Sequence, residues 1–221
     1  MGIGARHDRR RDELLRREAS LERVTFRYCD ETALGFSWVA EEPMTRTSHA
    51  LVADGRVWLV DPLDWPEAIE RARSLGEPAG VLQLLDRHNR DCAAVAEQLG
   101  VSHLVAPAAV PGSPFEVVEM RRWKRWQEIA LWWPEGRTLV VAEALGTNRF
   151  FTGGRGAVGV HLLLRLTPPK MLARFDLEHL LVGHGEGLHG PETAAALREA
   201  LRRSRGDSPH LLATLPFRGR T

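Results

Sequence analysis

Residues 82–92 read LQLLDRHNRDC, and the fold turns on that stretch. The apolar run Val81, Leu82, Leu84 and Leu85 has the bulk of a buried strand and stops at Asp86. A loop dense in candidate ligands follows: Asp86, Arg87, His88, Asn89, Arg90, Asp91 and Cys92. Next, AAVAEQLG reads as a helix closed by Gly100. Strand, polar loop and helix is the order in which α/β folds present chemistry at the carboxyl ends of strands.

Upstream, residues 24–28 and 36–40 alternate as strands. SHALVADGRVWLVDP then reads as a hairpin turning at Asp54 and Gly55. Residues 66–75 predict a helix with Pro66 at its start, and residues 79–85 the strand feeding the ligand loop. Downstream, residues 102–106 predict a short strand. Residues 110–133 are the least regular part, with the cations and indoles of RRWKRW at their centre. RTLVVAE, ending at Glu143, predicts a strand. LGTNRFFTGGRG is a Gly-rich loop too irregular for a phosphate-binding pattern, and residues 158–166 read as helix or strand. LLVGHGEG runs a strand into Gly-His-Gly, and residues 191–204 predict the last helix. Composition and element order support an α/β domain over 24–221, preceded by a charged helical extension over 1–23.

Net charge is +1, so no global field argues for nucleic acid or membrane. No apolar run approaches the roughly 20 residues of a membrane span. The basic N-terminus lacks the apolar core of a signal peptide. Cys29 and Cys92 form no disulfide framework, which fits a reducing cytoplasm.

Taken together, these elements resemble the metallo-β-lactamase superfamily over roughly residues 48–201. That resemblance implies a four-layer αβ/βα sandwich. It sets residues 87–92 on the metal-binding H-x-H-x-D-H loop. Asp91 then falls on the family's Asp, Arg87 and Asn89 on its first two His, and Cys92 on its last. His88 falls between ligand positions and is expected to point away. Either Lys124 or Arg125 takes a further His position, Glu143 that of the bridging Asp, and His184 the last ligand.

On this register the three-His site is lost, because protonated Arg and Lys cannot ligate a cation and repel it. The second site keeps Asp91, Cys92, Glu143 and His184, all competent zinc ligands. Each also has a plain structural role. Asp91 can cap the following helix, Cys92 can be a small buried hydrophobe, and Arg87 can pair with Asp91 or Glu143 in place of the metal charge. The favoured expectation is a diverged member with no cofactor, binding a small anion between Arg87, Lys124 and His184. The enzyme alternative is a one-zinc hydrolase of esters, thioesters or phosphoesters. The third reading is a nucleic-acid or protein-binding module built on residues 121–126 and the basic extension. His49, His103, His161 and His189 have no spacing partner that commends them.

Overall fold

The computed structural model describes residues 24–210 other than Asn89 and Arg125, without the side chains of Arg121, Arg122 and Trp123. The expected extension over residues 1–23 lies outside the described residues.

Two sheets face each other. The first has the order β1-β2-β3-β4-β5-β6, with β1 Phe26–Thr32, β2 Gly35–Ala40, β3 Thr47–Ala53, β4 Arg56–Val60, β5 Glu77–Gln83 and β6 His103–Val105. It is antiparallel through β4, then parallel across β4, β5 and β6. In the turn after β3, Asp54 and Gly55 have φ of 50° and 71°. Both signs suit a two-residue hairpin, as the sequence predicts.

Helix α1 (Pro66–Leu75) returns the chain for the parallel pairing, and α2 (Cys92–Leu99) follows β5. Gly100, at φ 67°, ends α2 by donating its N–H to the last carbonyls. Strand alternation decides what each face touches. Val57, Leu59 and Val81 pack with Ile69, Ala72, Val95 and Cys92 of the helices. Trp58, Val60, Leu82 and Leu84 point the other way, into the core between the sheets.

The second sheet has the order β13-β12-β9-β8-β7, with β7 Glu116–Trp123, β8 Trp126–Trp133, β9 Thr138–Val141, β12 His179–Val182 and β13 Leu188–His189. The segment over 110–133, which reads as irregular, is largely the β7–β8 hairpin, with Trp123 opposite Trp126. A small ribbon, β10 (Leu145–Gly146) with β11 (Gly159–Val160), follows β9. Helix α3 (Arg149–Thr152) lies within it, and α4 (Thr193–Arg203) buries Leu197 and Leu201 in the main core. No described helix is long and apolar enough to cross a membrane.

Candidate metal centre

The two sheets are stitched together where β5 runs out. Leu84 O accepts from Ile129 N–H at 3.0 Å, and Asp86 N–H donates to Gln127 O at 3.0 Å. This join carries the loop after β5 over the carboxyl ends of β9 and β12, where Glu143 and His184 follow. Gly183 makes that approach close: a Cβ there would sit 2.3 Å from Ala142 O.

Three side chains meet at this point. His88 Nε2 and His184 Nε2 each lie 2.9 Å from the same oxygen, Glu143 Oε2. These donor atoms form a group able to hold a metal ion. His161 Nε2 lies 3.3 Å from the other oxygen, Glu143 Oε1. Both Nε2 rings of the trio are buried, His88 at 9% exposure and His184 at 5%.

Hydrogen-bond roles decide which imidazoles can ligate. His184 Nδ1 is 2.9 Å from Met44 O, and a carbonyl only accepts, so Nδ1 carries a proton. In the neutral ring, Nε2 then presents a lone pair. His88 Nδ1 faces Asp61 Oδ2 at 3.2 Å, an ionic contact bent away from hydrogen-bond geometry. A carboxylate behind the ring again places the proton on Nδ1 and the lone pair on Nε2, the usual arrangement behind a metal-ligating His. His161 is the opposite case. Its Nδ1 accepts from Leu163 N–H at 3.3 Å, so in the neutral ring Nε2 keeps the proton and faces Glu143 Oε1 in an ionic contact. Burial, with the Arg87 charge nearby, lowers the His161 pKa and keeps this ring neutral.

The surrounding charges follow from packing. Burial would raise the Glu143 pKa, yet His184 and His88 hold it well below the carboxylate range. Burial likewise favours neutral His88, but Asp61 and Glu143 outweigh it and its pKa is raised. Glu128, 1% exposed, supports the site from beneath. Its Oε1 accepts the N–H of Glu143 at 2.7 Å and of Ala144 at 2.8 Å, and its Oε2 accepts Trp126 Nε1–H at 2.7 Å. Arg90 turns inward, donating to Gly183 O at 2.7 Å, to Asp61 O at 3.2 Å and to Thr47 O.

No protein-family model and no curated protein matches the chain. Solved structures do. A DIM-1 metallo-β-lactamase exposed to ceftazidime aligns over 83% of this chain and 100% of its own, with a TM-score of 0.55 and 12% identity. A TMB-1 structure aligns over 81% and 98%, with a TM-score of 0.54 and 10% identity. A further DIM-1 metallo-β-lactamase gives 83%, 97%, 0.53 and 11%. The chain has the metallo-β-lactamase fold. At such identities the likeness speaks for the fold alone.

Within the metallo-β-lactamase fold, the expected pair Glu143 and His184 is brought together, but its third partner is His88. The expectation that His88 points away is corrected. The loop turns at that point, with His88 N–H donating to Leu85 O at 3.0 Å, so strand-like alternation no longer sets the side-chain direction. Asp91 is exposed and its Oδ2 accepts Asp64 N–H at 2.9 Å. It stands at the start of α2 without capping it. Cys92 is buried in the helix-side core, and burial pushes its thiol pKa up, away from the ligating thiolate. The expected fork from Arg87 to Asp91 or Glu143 is also corrected: Arg87 is exposed, with its guanidinium 4.1 Å from the centroid of the Trp126 ring. Lys124 is exposed in the β7–β8 turn, and Asn89 and Arg125 lie outside the described residues. His161, unmarked by spacing, reaches the site through the pairing of Leu145 with Val160.

Proposed function

We propose that this protein is a single-metal hydrolase on the metallo-β-lactamase fold, its ion held by His88, Glu143 and His184. One observation carries the reading. Two imidazoles, each facing an oxygen at Nδ1, turn Nε2 toward one oxygen of Glu143. For that oxygen to accept a hydrogen bond from both while each Nδ1 also keeps its proton, both rings are imidazolium, two buried cations with centroids 6.0 Å apart. A divalent ion supplies the same positive charge with both rings neutral, their ordinary ligating form. Donors on a tetrahedral ion with bonds of about 2.0 Å stand about 3.3 Å apart, so each 2.9 Å His–Glu contact opens by a few tenths of an ångström to admit one.

Two His and a Glu are a known ligand set for catalytic zinc, which leaves coordination open for water and substrate. When bound, such an ion supplies Lewis acidity and a water that ionises near neutral pH. The chain's own residues prepare the place. Asp61 stands behind His88, Met44 O fixes the tautomer of His184, and His161 Nε2 lies 3.3 Å from the second oxygen of Glu143. Phe151 stacks on His184 with ring centroids 5.4 Å apart, keeping water from that face. The substrates this site suits are esters, thioesters or phosphoesters.

A second reading is a metal-free binding cleft. It is supported by the 2.9 Å separations, which are the length of charge-assisted hydrogen bonds. Elemental mass spectrometry on protein equilibrated with zinc and desalted separates the two. One equivalent of zinc, lost in Glu143→Gln and in His184→Ala, supports the hydrolase. No retained zinc establishes the metal-free cleft, and two equivalents overturn both.

A further inference from the structure

Arg87 is exposed but not loose. Its guanidinium packs on Trp126, which is itself only 3% exposed. Trp126 is pinned by its Nε1–H bond to Glu128, and the other oxygen of Glu128 holds the backbone N–H of Glu143. One buried carboxylate therefore sets both the platform under Arg87 and the residue at the heart of the cluster. The same indole meets His161 edge-on, with centroids 5.0 Å apart, and His161 Nε2 lies 3.3 Å from Glu143 Oε1.

Among the described residues, no carboxylate pairs with Arg87. Asp86 Oδ1 accepts Gln127 N–H at 3.2 Å, Asp91 Oδ2 accepts Asp64 N–H, and Glu143 is enclosed by three imidazoles. A guanidinium without an anion, held on an aromatic face beside a reactive centre, has the chemistry to grip an oxyanion through two parallel N–H bonds. Stacking also removes part of the ordering cost that a free Arg side chain would bring to binding.

We infer that Arg87 clamps an oxyanion group of the substrate, a carboxylate or a phosphate, while the neighbouring bond lies over His88, Glu143 and His184. This rests on the reading of that cluster as the active centre.

Calorimetric titration of inorganic phosphate and of acetate into the full chain tests the clamp. Chloride at matched ionic strength is the reference, and the protein is used zinc-loaded and chelator-treated. At least one oxyanion should bind saturably in both forms. Arg87→Ala should weaken it about tenfold or more, Arg87→Lys by a comparable factor because Lys offers no fork, and Lys170→Ala not at all. A preference for phosphate or for acetate names the group. Affinity within twofold of wild type in Arg87→Ala, or no saturable binding of either anion, overturns the inference. Anion binding that disappears with chelator yet ignores Arg87→Ala overturns the clamp and leaves the metal reading standing. Arg87-dependent binding in protein that retains no zinc does the reverse.

Discussion

Asp61→Asn isolates the contribution of the carboxylate behind His88. Asp61 is 1% exposed and sits at φ 46°, a left-handed position that Asn tolerates as well as Asp. Its other bonds survive the change. Its N–H donates to Leu82 O, its carbonyl accepts Ser48 Oγ–H, and Oδ1 accepts Leu84 N–H at 3.3 Å. What changes is the atom facing His88 Nδ1, an acceptor 3.2 Å away in wild type and an amide N–H₂ in the variant. The neutral ring then carries its proton on Nε2, where it cannot ligate. Losing such a partner typically costs 10–100-fold in metal affinity, about 1.4–2.7 kcal/mol.

The expected signal is large enough to read in a melt. At zinc near 100 times the wild-type Kd, binding stabilises the fold by about 2.7 kcal/mol, and a variant weakened about 100-fold keeps only about 0.4. For a chain of this size the difference is about 5–9 °C in the zinc-dependent rise of Tm. Competition against a chromophoric chelator gives the affinity directly. A folded Asp61→Asn protein with wild-type zinc affinity would show that His88 is no ligand, and the single-metal reading would fall with it.

Three further outcomes are expected. His49 is 1% exposed, its Nε2 has no hydrogen-bond partner among the described residues, and burial pushes its pKa down to about 4. Folded His49 thus resists protonation. Its contribution to stability is whole above the ordinary His pKa, and about 2–3 kcal/mol of it is lost between pH 7 and pH 4.5. Urea midpoints should show that loss shrinking in His49→Gln; an unchanged pH slope refutes it. Cys92→Ala should lower stability by about 1 kcal/mol, as a small core truncation does, and leave zinc stoichiometry at one; released zinc would restore Cys92 as a ligand. Gly183→Ala should cost several kcal/mol or abolish folding, because its Cβ would meet Ala142 O at 2.3 Å and Arg90 Nη2 at 3.1 Å; a wild-type melt would contradict the close approach.

How much of this was legible depended on how local the physics was. The Asp54–Gly55 turn and the start of α1 at Pro66 are written in residues whose dihedral preferences suffice. The alternation of Val57, Trp58, Leu59 and Val60 told which faces are buried, since period two holds wherever a strand is regular. Both lapses at the site came from leaving that regime. His88 falls between ligand positions when counted along a motif, and such a count fails once the chain turns back on Leu85 O. His161 lies 18 residues beyond Glu143 in sequence and arrives only because β10 pairs with β11. The β7–β8 hairpin was obscured by RRWKRW, whose cations break the apolar alternation, and by a register shift between Glu119 and Arg121.

Arg87 and Arg90, three residues apart in one loop, have opposite fates, and the difference bears on how the site is made. Arg90 donates to carbonyls at Thr47, Asp61 and Gly183, which belong to β3, the end of β4 and the end of β12. It therefore ties the ligand loop to both sheets through main-chain atoms. Gly183 permits this, since any side chain there would press on the guanidinium. A site fixed in this way does not need an ion to assemble it. Structural zinc sites in small domains commonly fold only on the metal, so that chelation unfolds them. Here the three side chains are held by the half-buried Arg90 guanidinium, by Glu128 beneath the Glu143 backbone, and by the stitching of Leu84 to Ile129. Chelator should accordingly remove the ion's binding energy from stability while the fold remains, which is the behaviour of a site kept open for chemistry.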